Sequence, residues 1–99
     1  MQGQLFTPSS IQAFAPDSSG VYLIYWSQLG ERVTTIYVGE SDNIREALLS
    51  HCTRTSEEAD CIWSHSPTSY VCQTVWMGEA LRKYKQREWI QKFQPVCNR

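Results

Sequence analysis

Tyr22, Tyr37 and His51 are the side chains of this sequence whose types and spacing best suit chemistry. Tyr22 closes the string Gly20-Val21-Tyr22, and Tyr37, fifteen residues further on, opens Tyr37-Val38-Gly39. Each string lies at the end of a β-like apolar run. As strand tyrosines alone, the two would pack at the edge of a core. His51 carries an imidazole, the side chain that takes up and releases a proton near neutral pH. On an apolar helix face it could equally be a satisfied core group.

A second set of candidates contains sulfur. Cys52, Cys61, Cys72 and Cys97 include no CxxC pair. Zinc takes four N or S ligands, and His51, Cys52, Cys61 and His65 could in principle supply them. Their spacing fits no usual ligand pattern, so no metal centre is expected. Met1-Gln2-Gly3-Gln4 does not begin a basic-then-apolar leader, so the expectation is a cytoplasmic protein with reduced thiols. No apolar run exceeds Val21 to Trp26, which excludes a membrane-spanning helix from the reading.

The elements that must position these residues follow from periodicity and punctuation. Val21 to Trp26 and the β-branched stretch Val33 to Val38 read as two strands. A Gly30-containing loop joins them as an antiparallel pair. Gly39 breaks the second strand. Asn43 and Glu46 form a capping-box pattern that opens a helix to Cys52, with Ile44, Ala47, Leu48 and His51 on one face. A short helix over 57–64, a third strand from Tyr70 to Trp76 and a helix from Glu79 to Phe93 follow, the last stopped before Pro95. That last helix changes phase. Ala80, Leu81 and Tyr84 lie on one side and Trp89, Ile90 and Phe93 on the other, which predicts packing against two different elements. Residues 1–19 read as a leading segment from which Phe6, Ile11, Ala13 and Phe14 tuck against a domain at 20–99.

The net charge of −1 hides an uneven distribution. Over 40–60, Glu40, Asp42, Glu46, Glu57, Glu58 and Asp60 outnumber Arg45 and Arg54. The helix after 79 carries the one basic face, Arg82, Lys83, Lys85 and Arg87, and so the only footprint a phosphate backbone would favour.

Taken in order, the two strings, the helix ending in His51 and the closing Pro95-Val96-Cys97-Asn98 resemble the GIY-YIG nuclease superfamily over residues 20–98. The resemblance implies an α+β fold, a small three-stranded antiparallel sheet flanked by helices in the order β-β-α-(α)-β-α. It also implies metal-dependent hydrolysis of a nucleic-acid phosphodiester. The tyrosines would organise the attacking water in a shared pocket, an arginine would offset phosphate charge, and a glutamate would hold Mg²⁺ or Mn²⁺. Tyr22, Tyr37 and His51 match the pattern, but its arginine falls on Ala47 and its glutamate on Gln86. Arg45 sits about 200° around the helix from Ala47 and points elsewhere. The expectation is therefore a remnant pocket in a domain that is inactive or strongly impaired. Such a domain would bind DNA or RNA through Arg82, Lys83, Lys85 and Arg87, or a protein, with no cofactor and no membrane. The alternative is an active metal-dependent endonuclease with relocated ligands, Glu40 or Glu79.

Overall fold

The computed structural model describes residues 3–28 and 32–98. The elements run β1 (Gln4–Leu5), α1 (Pro8–Phe14), β2 (Gly20–Gln28), β3 (Arg32–Ser41), α2 (Ile44–Cys52), α3 (Ala59–Ser64), β4 (Ser69–Thr74) and α4 (Glu79–Phe93). One antiparallel sheet has the order β1-β4-β2-β3. The expected sheet of three strands thus gains a fourth, supplied by the leading segment, where Gln4 and Leu5 pair with Tyr70 and Ser69. The predicted hairpin loop at Gly30 lies outside the described residues.

β2 reads as a continuous apolar run because it is central. It pairs with β3 on one side and β4 on the other, and Gly20 to Tyr25 are buried on both faces. Its alternate residues feed two cores. Tyr22 and Ile24 join Phe6, Ile11, Ile36, Ile44, Leu48, Ile62 and Tyr70. Leu23 and Tyr25 join Val38, with Trp89, Ile90 and Phe93 of α4 packed on them. Each fully buried side chain of this kind contributes about 2 kcal/mol. A bulge between Ile24 and Tyr25 breaks the register against β3, and Ile36 is the extra residue. It lets the consecutive Ile36 and Tyr37 both pack on the larger core.

The caps are local and explicit. The Thr7 hydroxyl accepts from the Ser10 N–H, with Pro8 in the first turn of α1. Asn43 Oδ1 accepts from the Glu46 N–H at 3.0 Å and starts α2 as expected. Gln94 takes a left-handed conformation at φ 52° and ends α4 before Pro95.

Four expectations are corrected. Ala13 and Phe14 face solvent, and Ala15 takes the buried place beside Ile11. The strand at Tyr70 stops at Thr74, and Trp76 is 78% exposed. The first half of α4 finds no second element among the described residues, so Ala80, Leu81 and Tyr84 are exposed. Cys61 and Cys97 are joined as a disulfide, while Cys52 and Cys72 are free, so the thiols are not all reduced. Among the described residues no helix is long and apolar enough to cross a membrane.

Candidate functional site

Close packing explains the glycine that begins the first string and the one that ends the second. Gly39 stands opposite Tyr22 in the β2–β3 ladder, and a β-carbon on it would run into the Tyr22 ring. A β-carbon on Gly20 would meet the Gln73 carbonyl and Ile44. The ring of Tyr22 therefore lies flush on the backbone of β3, and α2 closes over the ring's end.

There the structure brings Tyr22, Tyr37 and His51 together. Their ring centroids lie 6.2 Å apart for the two tyrosines, 5.6 Å for Tyr22 and His51, and 5.2 Å for Tyr37 and His51. The Tyr22 hydroxyl and His51 Nε2 are hydrogen-bonded at 2.7 Å, and His51 Nδ1 meets the Ser56 hydroxyl at 2.6 Å. A neutral imidazole offers one donor and one acceptor, and both are used. Trp63 Nε1 donates to the His51 carbonyl at 2.9 Å and fixes the end of α2.

Burial sets the protonation states. It pushes the Tyr22 phenol well above its usual range, with Tyr37, Glu58 and Glu40 adding to the rise. Tyr37 is pushed up to about 12, first by burial and then by the Glu58 and Glu40 carboxylates. His51 is lowered to about 4 by burial alone. Near neutral pH the cluster is thus two neutral phenols and a neutral imidazole.

One consequence is measurable. His51 titrates near 6.5 when unfolded and near 4 when folded, so folding holds it neutral. Its contribution is fully present above about pH 6.5 and is lost as pH falls toward 4, because the unfolded chain takes up the proton first. Between about pH 7 and about pH 4.5 the protein should lose about 2 kcal/mol through this group. Urea denaturation at the two pH values should show that extra loss in the native sequence and its absence in His51→Gln. Equal losses in both proteins would contradict it.

The positions expected for the missing charges are occupied as follows. Ala47 packs its methyl group partly buried against the larger core. Gln86 donates its side-chain N–H to the Val38 carbonyl at 3.2 Å. Arg45 turns away, as expected, and donates to the Ala15 carbonyl at 3.0 Å. Of the two relocated ligands considered, Glu40 is bound to Arg82 at 3.2 Å, with both side chains largely buried at 15% and 12% exposure. Glu79 lies exposed in the first turn of α4. The basic face is correspondingly reduced. Arg82 is taken by Glu40 and Lys85 by Glu88 at 3.3 Å, whereas Lys83 and Arg87 make no ion pair among the described residues.

Asn98 is an ordered part of this frame. The Val38 N–H donates to Asn98 Oδ1 and Asn98 Nδ2 donates to the Val38 carbonyl, each at 2.7 Å. The zinc set considered from spacing does not assemble. His51 is held by Tyr22 and Ser56, and Cys61 and His65 meet Cys97 instead. Sequence reasoning missed Ser56, Glu58 and the Glu40–Arg82 pair. All three arise from contacts between elements and leave no local pattern.

No family model and no curated relative matches the chain. Among solved structures it is similar to the GIY-YIG N-terminal endonuclease domain of UvrC from Thermotoga maritima bound to magnesium. That similarity has a TM-score of 0.67 at 23% identity, over 90% of this chain and 96% of that one. Two tyrosine-to-phenylalanine point mutants of the same domain, also with a bound divalent cation, superpose at 0.67 with 23% and 22% identity, over 90% of this chain and 94% of theirs. The β2–β3 pair, the helix that closes over Tyr22 and Tyr37, and the sheet between two helical layers are thus those of the GIY-YIG endonuclease fold.

Proposed function

We propose that this chain is a GIY-YIG superfamily domain that has lost phosphodiester hydrolysis and acts as a binding module. The observation that carries the proposal is where the charges go. Hydrolysis of a phosphodiester needs a cation for the phosphate and an oxygen ligand for a hard metal. Here Arg82 and Glu40, a guanidinium and a carboxylate beside the cluster, satisfy each other.

The residues present do not fit the magnesium that the similar UvrC domain binds. Gln86 has a neutral amide that points an N–H, not an oxygen, at Val38. Glu40 would have to leave a largely buried ion pair, and stranding one partner of such a pair is costly. Tyr22 and Tyr37 have pKa values raised away from phenolate formation, and both nitrogens of His51 are occupied. What survives of the remnant pocket is a packing unit.

Nucleic acid is the first partner class, because the fold is that of an endonuclease domain and Lys83 and Arg87 remain exposed on the basic face. A protein is the second. Trp76, Met77 and Tyr84 lie exposed along the same stretch, at 78%, 81% and 55%.

The test has two stages. Incubation with plasmid, single-stranded and branched DNA and with RNA, in Mg²⁺ or Mn²⁺, should give no cleavage above buffer. Cleavage that disappears in Tyr37→Phe would overturn the proposal and favour the relocated-ligand endonuclease. A salt titration of duplex binding should then give a log–log slope of about −2, since two unpaired cations meet phosphate. No binding even at low salt would move the reading to a protein partner.

A further inference from the structure

Away from the tyrosine cluster, α3 and the chain after α4 meet at a second group of reactive side chains. Cys61 and His65 stand one helical turn apart, at i and i+4, at the end of α3. Cys97 reaches them from the segment laid along β3, held there by N–H donation from Val96 to the Thr35 carbonyl at 3.2 Å and from Cys97 to the Ile36 carbonyl at 2.8 Å. The two sulfurs and a His65 ring nitrogen all lie within 4.8 Å of one another. The disulfide is one state of this cluster. Disulfides are rare where cytosolic reductants act, and His65 has no place in a disulfide bond.

We infer that, once reduced, Cys61, His65 and Cys97 form a zinc site. Zn²⁺ takes thiolate sulfur at about 2.3 Å and imidazole nitrogen at about 2.1 Å in a tetrahedron. Those bond lengths require a sulfur–nitrogen separation of about 3.6 Å and a sulfur–sulfur separation of about 3.8 Å. Cys97 Sγ and His65 Nδ1 already stand 3.8 Å apart, and to bind the metal Nδ1 would give up its present contacts with the Cys61 carbonyl at 2.9 Å and the Ser64 hydroxyl at 3.1 Å. Breaking the disulfide lets the two sulfurs separate, one on the last turns of a six-residue helix and the other three residues past Gln94. His65 is exposed, which leaves the fourth position to water. Glu57 and Asp60 begin the same stretch of chain and favour a cation.

The two states exclude each other. A water-soluble phosphine gives two electrons to the disulfide, takes the oxygen of one water to become a phosphine oxide, and leaves two thiols carrying that water's protons. Metal binding then releases the two thiol protons as the S–Zn bonds form. The site uses none of the groups of the tyrosine cluster, so it stands or falls independently of whether the domain cleaves, or binds, nucleic acid.

The experiment treats the whole chain with phosphine and chelator, removes both, and titrates with Co²⁺ as a spectroscopic substitute for Zn²⁺. The expected result is a thiolate-to-cobalt charge-transfer band that saturates at one equivalent and is displaced by Zn²⁺. The untreated, oxidised protein should show no band. His65→Gln keeps both cysteines and should weaken binding at least about tenfold, in line with loss of a ligand. Cys97→Ser should abolish the band, whereas Cys72→Ala should leave it unchanged. A reduced native protein without the band, or a band of full affinity in either His65→Gln or Cys97→Ser, would overturn the site. Far-ultraviolet circular dichroism checks that each variant is folded, and His65→Gln can be compared with the native chain in its disulfide form.

Discussion

Gly39→Ala is expected to destabilise the protein by about 4 kcal/mol, a large share of the roughly 5–15 kcal/mol a small domain has. The added β-carbon would overlap the hydroxyl end of the Tyr22 ring, at Cζ and the oxygen. Overpacking of this kind costs about 1–3 kcal/mol. The ring cannot slide away without releasing His51, to which its hydroxyl is bonded at 2.7 Å, and stranding those buried polar groups costs about 1–3 kcal/mol more. Urea denaturation measures the loss. Tyr22→Leu in the same chain removes the obstacle, so the double variant should be less unstable than the two single changes predict together. A Gly39→Ala protein with an unchanged midpoint would contradict the close approach.

Reduction of Cys61–Cys97 is expected to have an effect of similar size. The bond ties residues 36 apart in sequence. Releasing a closed loop of that length costs about 4 kcal/mol in the chain-entropy account, which lowers the melting temperature of a domain this size by about 15 °C or more. Thermal unfolding with and without a phosphine reductant, at fixed protein concentration, gives the comparison. Melting curves within a few degrees of each other would show that the segment after Pro95 stays on β3 without the covalent tie. Zn²⁺ added to the reduced protein should recover part of the loss, since a ligand that binds only the folded state stabilises it.

The parts of the fold that were legible in the sequence are those with a strong period and a local stop signal. Val21 to Trp26 and Val33 to Val38 announced a strand pair, and Asn43 with Glu46 announced the start of α2. The leading segment was harder to read. β1 has two residues and α1 seven, too short for either period to show. Phe14 looked apolar enough to bury, but α1 turns Ile11 inward and leaves Phe14 62% exposed. Trp76 continued the alternation of the strand before it, yet pairing ends at Thr74, where the Val75 N–H turns to Ser19.

The candidate site divides in the same way. Tyr22, Tyr37 and His51 could be named together through the resemblance of the two strings and the following helix to the GIY-YIG pattern, since as strand tyrosines alone the first two read as edge packing. The charges could not be followed. Glu40 and Arg82 are 42 residues apart and meet only because α4 packs along β3. Cys61 and Cys97 show no motif for the same reason, since their contact is made by the last few residues lying along the sheet edge.

That edge bears on how any partner must bind. An exposed strand edge is a template to which an extended peptide can add as one more strand. Along residues 35–38 the outward groups of β3 are already taken by Val96, Cys97 and the two ends of the Asn98 amide, and Gln86 adds a second donor to the Val38 carbonyl. On the opposite side β1 covers only Ser69 and Tyr70 of β4, so Val71 to Thr74 keep an outer side with no strand beside it among the described residues. Recognition by main-chain pairing is therefore blocked along residues 35–38 of β3 and is left to Val71–Thr74 of β4. A partner that does not pair with β4 must read side chains, and the stretch from Trp76 to Arg87 is where this domain displays them.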